Sequence, residues 1–119
     1  MTQSIHTIND FKEALRVAGG KRVILDCGAS WCGPCRAIAP MFDDLAIEYA
    51  AISVGLKMDV DDAPELADLL QVTSMPTFFV FQDGEVIQRF SGANAQTLRH
   101  AFSQQATHAS HPMHSFQLL

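Results

Sequence analysis

The chain has 119 residues, 48% of them apolar and 18% charged, and a formal net charge of −5. That length suits one compact domain whose core needs no disulfide staples, and 8 Lys and Arg against 13 Asp and Glu exclude a basic surface able to neutralise a run of phosphates. Apolar runs such as Val23 to Leu25 and Phe78 to Phe81 fall far short of the roughly 20 residues that span a bilayer, which excludes a membrane helix.

From the N-terminus, Ser4 to Ile8 reads as a short extended stretch. Thr7 or Asn9 can cap a helix in which Phe11, Ala14, Leu15 and Ala18 recur at helical spacing until Gly19-Gly20 ends the pattern. Arg22 to Cys27 is a near-continuous apolar run, the pattern of a strand buried on both faces and a candidate for the centre of a parallel sheet. From Pro34 to Tyr49, the side chains of Ile38, Met41, Phe42, Leu45 and Tyr49 share one helical face, and Pro40 removes an internal hydrogen bond, which predicts a kink.

Ile52 to Val60 reads as the next strand. Asp62 as cap, Pro64 in the first turn and Glu65 three residues after the cap predict a short helix burying Leu66, Leu69 and Leu70. Thr77 to Gln82 and Val86 to Phe90 flank Asp83-Gly84, a favoured two-residue hairpin turn, so these strands should be antiparallel neighbours. Asn94 can cap a last helix with Ala95, Leu98, Ala101 and Phe102 facing inward. This alternation predicts an α/β domain, a mostly parallel sheet covered by helices on both faces, with one antiparallel hairpin at an edge. The domain should occupy residues 1–105. Residues 106–119 carry His108, His111 and His114 but no Lys, Arg, Asp or Glu, and read as a flexible tail.

The most informative stretch is Trp31-Cys32-Gly33-Pro34-Cys35, at the junction between a buried strand and a helix N-terminus. Unpaired backbone N–H groups and the positive end of the helix dipole stabilise a thiolate in the first turn, which makes Cys32 the candidate nucleophile. A thiolate attacks a disulfide to form a mixed disulfide, and Cys35, three residues on in the same turn, is placed to resolve it. Gly33 leaves room for a close approach, and Pro34 pre-sets a helical φ. Two other roles exist for such a pair, plain core packing or half of a zinc site. Zinc would need further ligands from His108, His111 or His114, more than seventy residues away.

On these residues the chain resembles the thioredoxin family. The five-residue motif is identical to that family's active site, and Asp26, Pro40, Lys57, Met75-Pro76-Thr77, Asp83-Gly84 and Gly92 fall where thioredoxins carry the corresponding residues, over roughly residues 4 to 105. The resemblance implies a thioredoxin fold, a central mixed five-stranded sheet flanked by four helices on both faces. It implies a protein dithiol-disulfide oxidoreductase, an electron carrier that reduces disulfide-containing proteins through a reversible Cys32–Cys35 disulfide. No cofactor would be bound, and electrons would come from NADPH through a thioredoxin reductase. Partners would be that reductase and protein substrates, met by a monomer, with no metal, nucleic acid or membrane involved.

The resemblance also assigns supporting roles. Asp26, at the end of an apolar strand where ionisation is costly, would exchange a proton with Cys35 through water. Lys57 on the neighbouring strand would modulate Asp26. A cis bond is implied at Pro76, with the backbone of Met75 pairing to an extended substrate segment. Trp31 would wall the substrate site with its ring while its N–H finds a polar partner, although a core Trp is the alternative. Gly92 would border the substrate groove or simply serve a turn. Cys27, on the other side of the strand from Asp26, should be an inert buried thiol.

Three departures stand out. Gly28 replaces a frequent Trp, which predicts a looser active-site loop or a different choice of partners; Ser30 replaces a frequent charged residue; and Thr73-Ser74 precede Met75 where Arg-Gly is common in bacterial members. A docking subunit with secondary redox turnover is a competing reading, as is a disulfide-forming oxidase or isomerase. The Gly-Pro pair between the cysteines resembles the reducing members. Met1 to Leu15 hold Asp10 and Glu13 and no apolar block of signal-peptide length, and three cysteines are few for a secreted scaffold. A cytoplasmic location is expected, with a mitochondrion or plastid as alternatives.

Overall fold

The computed structural model describes residues 2–105, so the tail expected over 106–119 lies outside the described residues. The elements run β1 (Gln3–Ser4), α1 (Ile8–Ala18), β2 (Arg22–Gly28), α2 (Gly33–Glu48), β3 (Ser53–Asp59), α3 (Pro64–Leu69), β4 (Thr77–Gln82), β5 (Glu85–Ser91) and α4 (Ala95–Ser103). They form one five-stranded sheet in the order β1-β3-β2-β4-β5. β2 is central, as its two-sided apolar pattern requires. The β1–β3 and β3–β2 pairs are parallel and the β2–β4 and β4–β5 pairs antiparallel. The pairings are thus evenly mixed rather than mostly parallel, because β4 alone runs against the other strands and, lying between β2 and β5, makes two antiparallel pairs.

The period-two alternation of β2 divides the core. Val23, Leu25 and Cys27 join Phe11 and Ala14 of α1 and Leu66 and Ala67 of α3 on one face. Ile24 joins Ile38, Phe42 and Leu45 of α2 and Leu98, Ala101 and Phe102 of α4 on the other. Phe42 is fully buried, stacked on Phe78 at 6.1 Å and edge-on to Phe102 at 5.2 Å. Truncating such a ring to Ala costs on the order of 3–5 kcal/mol. Helix α2 comes this close to the sheet because residue 55 is Gly: a Cβ there would stand 2.9 Å from the Ala46 Cβ and 3.1 Å from the Phe42 ring. The helix runs through Pro40 without ending.

Local sequence explains most boundaries. Thr7 caps α1 by a reciprocal box with Asp10, the Thr7 hydroxyl accepting from the Asp10 N–H at 3.0 Å, an arrangement worth about 1 kcal/mol. That cap turns the chain helical at Ile8, so the extended stretch expected to reach Ile8 pairs only at Gln3–Ser4, plus one bond from the Ile5 N–H to the Lys57 carbonyl. Asn94 caps α4 through the Thr97 N–H. Asp83 and Gly84 turn the hairpin with φ of 52° and 80°, the doubly positive pair a tight two-residue turn demands.

Three expectations need correction. Asp62 does not cap α3: Ala63 holds the cap position without a side-chain bond, and the Asp62 carboxylate instead meets the His6 ring. Leu69 is 42% exposed, since the six-residue α3 turns only Leu66, Ala67 and the following Leu70 inward. Ala95, next to the Asn94 cap, is exposed, and the buried face of α4 begins at Leu98. Among the described residues, no helix is long and apolar enough to cross a membrane.

Candidate active site

Cys32 ends the loop after β2 and holds the N-cap position of α2; Cys35 lies within the first turn, with Gly33 and Pro34 exposed between them. The two cysteines are disulfide-bonded, their Cα atoms 5.3 Å apart. The Cys35 backbone N–H donates to the Cys32 sulfur at 3.2 Å, one of the otherwise unpaired donors of the helix start. Such a donor, together with the helix dipole, favours negative charge on that sulfur once the disulfide opens.

The Met75–Pro76 peptide bond is cis, as the resemblance implies. The Met75 carbonyl oxygen lies 3.9 Å from the Cys32 sulfur, and Met75 packs against Ala29, Cys32 and Cys35. Thr77 anchors this loop: its hydroxyl donates to the Ser74 carbonyl at 2.6 Å and lies 3.0 Å from the Ser91 hydroxyl. Gly92, at φ 92°, donates its N–H to the Pro76 carbonyl at 2.9 Å. It is therefore part of the same loop cluster and not merely a distant turn. Trp31 is 62% exposed, which disposes of the core alternative, and its indole N–H donates to Asp61 at 2.7 Å.

Behind the cysteines, Asp26 stands on the α2 face of β2, 6% exposed, and its Oδ1 has no hydrogen-bond partner among the described residues. Burial pushes its pKa up to about 6; Lys57 moderates the rise and Asp43 adds to it. Lys57 is directly across from Asp26 in the β2–β3 register, yet its ion pair is with Asp43, at 3.1 Å, with the ammonium 5.8 Å from the Phe42 ring centre. It acts on Asp26 at a distance rather than through a bond. Cys27 points to the opposite face, fully buried, and burial lifts its thiol well above the ordinary pKa.

Sequence reasoning missed the residues that hold the loop before Cys32. The Asp59 carboxylate accepts from the Ser30 N–H at 3.1 Å and the Asp61 N–H at 2.8 Å, Arg36 donates to the Ser30 carbonyl at 2.9 Å, and the Val60 N–H donates to the Gly28 carbonyl at 2.9 Å. These bonds hold the loop that follows Gly28. The signal was present in Asp59-Val60-Asp61-Asp62: an acidic run closing the strand parallel to β2 must emerge beside the end of β2. Among the described residues, no group of three or more His, Cys, Asp or Glu is placed to hold a metal ion.

The family model described as Thioredoxin matches residues 3–104. The chain is 44% identical to the thioredoxin of Ictalurus punctatus over 101 residues, covering 83% of this chain and 94% of that one. It is 42% identical to the thioredoxin of Homo sapiens over 98 residues, covering 82% and 92%. The X-ray structure of Fasciola hepatica thioredoxin superposes with a TM-score of 0.80 at 39% identity, covering 85% of this chain and 96% of that one. The cysteine pair at the start of α2, the cis-proline loop beside it and these likenesses together place the chain in the thioredoxin family, the protein disulfide oxidoreductases that work through a redox-active disulfide.

Proposed function

We propose that this protein reduces exposed disulfides of other proteins in a reducing compartment, the cytoplasm, as a monomer that an NADPH-dependent thioredoxin reductase recharges. In the reduced form, the Cys32 thiolate attacks a target disulfide: a bond forms between the Cys32 sulfur and one target sulfur, and the other target sulfur leaves with the electron pair. Asp26, with a pKa near neutrality, takes the Cys35 proton through water, as a base is most useful when its pKa matches the working pH. The Cys35 thiolate then attacks the Cys32 sulfur, the second target sulfur leaves as thiolate, and the Cys32–Cys35 disulfide closes. Two electrons from the reductase reopen it.

The extended target segment lies along Trp31, Met75, Pro76 and Gly92, with main-chain hydrogen bonds to Met75 giving tolerance for many sequences. Gly33 carries no side chain to obstruct it, and a Cβ there would meet nothing within 4 Å. The carrying observation is the Cys32 sulfur at the N-terminus of α2, bonded by the Cys35 N–H and facing the cis-proline loop. The test is turnover of insulin disulfides with NADPH and thioredoxin reductase, compared with Cys32→Ser. Rapid reduction that the substitution abolishes is expected; no turnover by the wild type, even with dithiothreitol as the recharging reductant, would overturn the general-reductase reading.

A further inference from the structure

The target segment's route touches the redox pair from the Cys32 side, but the two cysteines are equally buried, Cys32 6% and Cys35 7% exposed. Cys35, unlike Cys32, also borders a different opening. A cavity of about 300 Å³ lies behind the pair, bordered by Asp26, Gly28, Cys35, Arg36, Lys57 and Asp59 among others. None of Trp31, Cys32, Met75, Pro76 and Gly92 lines it. Its volume is at the lower end of the range of small-molecule sites. The wall it shares with Cys35 is thin because residue 28 has no side chain: a Cβ there would stand 3.3 Å from the Cys35 sulfur and 3.6 Å from Asp26 Oδ1. That Oδ1 is the buried oxygen without a partner among the described residues.

We propose that this Gly28-walled cavity is a second approach to the redox pair, by which a small monothiol reaches the Cys35 sulfur without passing the protein-substrate groove. The step balances as an ordinary exchange. The incoming thiolate forms a bond to the Cys35 sulfur, the Cys32–Cys35 bond breaks, and the electron pair leaves on Cys32. Leaving-group stability favours that direction, since Cys32 is the sulfur that receives the Cys35 N–H at the start of α2. A second monothiol attacking the adduct at its own sulfur releases a small disulfide and leaves the pair reduced. Low-molecular-weight thiols and disulfides thereby exchange electrons with Cys35 directly, while proteins, too large for the cavity, are confined to Cys32. The proposal rests on the redox pair alone and not on recharging by a reductase.

The same exchange run backwards is convenient to measure: the Cys35 thiolate attacks 4,4′-dithiodipyridine, the Cys35–S–pyridine disulfide forms and coloured thiopyridone leaves. The Cys32→Ser protein should react at Cys35, located by peptide mass, at least on the order of 10-fold faster than the buried Cys27 does in the Cys32→Ser, Cys35→Ser protein. Adding Gly28→Val to Cys32→Ser should slow the Cys35 reaction on the order of 10-fold by filling the wall. Gly28→Ala, whose single Cβ asks the sulfur to yield only slightly, should slow it less and decides the matter if the Val variant does not melt as a folded protein. A Cys35 rate no faster than that of Cys27 overturns the proposal. So does a Cys35 rate that the folded Gly28 variants leave unchanged, which would mean access through the space vacated at residue 32. Insulin reduction by the wild type is independent of either result, so failure here leaves the protein-disulfide activity standing.

Discussion

The two sides of the cysteine pair are built on opposite terms. On the Cys32 side the groups are a backbone carbonyl, an exposed indole and a cis-proline loop. On the Cys35 side stand a buried carboxyl and, across the strand pair, a lysine engaged with another acid. On the proposed function, the front recognises by shape and main-chain hydrogen bonding and the back moves protons. Separating the two lets a broad substrate surface coexist with a tuned acid–base group, because a substrate that docks in front displaces nothing behind.

The sharpest way to break that division is to remove the back sulfur. Cys35→Ser should still form mixed disulfides through Cys32 but should lose turnover by at least on the order of 10³-fold, since the two sulfurs act as one unit. The trapped insulin adduct on a non-reducing gel is the readout. Next in size is Asp26→Asn. Burial raises the folded-state pKa from 3.8 to about 6, so between those values the folded chain keeps a proton that the unfolded chain releases. Stability therefore falls as pH rises through that window, by about 3 kcal/mol in all. Asp26→Asn should accordingly be about 3 kcal/mol more stable than wild type at pH 7.5 and no more stable at pH 3.5 by urea unfolding, while resolution of mixed disulfides slows.

Trp31→Ala addresses the front alone. It should lower kcat/KM for protein disulfides on the order of 10-fold, the scale of a lost aromatic contact, and leave reduction of a small aromatic disulfide nearly unchanged. Trp31→Phe, which keeps a smaller aromatic ring and loses the indole N–H bond to Asp61, should fall between. Smallest is Lys57→Met: without the ammonium that moderates it, the Asp26 pKa should move above about 6, visible as an upfield-to-downfield titration of the carboxyl carbon by NMR. An unchanged midpoint would show that Lys57 is spent on Asp43 and has no hold on Asp26.

How far the sequence could be read follows from how local each feature is. Asp83-Gly84, the Thr7 cap and the Asn94 cap are decided by a few adjacent residues, and each is found where its chemistry puts it. The redox motif is likewise local, and the alternation of β2 already separates Asp26 from Cys27. What eluded a linear reading depends on pairs brought together by the sheet. Asp62 has every qualification for a helix cap, but the start of the chain delivers His6 to it. Trp31 finds Asp61, and Ser30 finds Asp59, only because β2 and β3 run parallel and end together. Lys57 faces Asp26 in register, yet α2 brings Asp43 nearer to its ammonium. The position of Gly28 beside the Cys35 sulfur requires both β2 and the first turn of α2.

Cys27 shows what one step of strand register is worth. It is next to Asp26 in sequence, but the pleat sends it into the α1 and α3 core while the redox pair works above the other face. The sheet serves as an insulating layer between a spare thiol and a disulfide that opens and closes at every cycle. Because the third sulfur cannot meet the other two without the fold coming apart, the chain can be oxidised and reduced repeatedly with its disulfide pairing preserved.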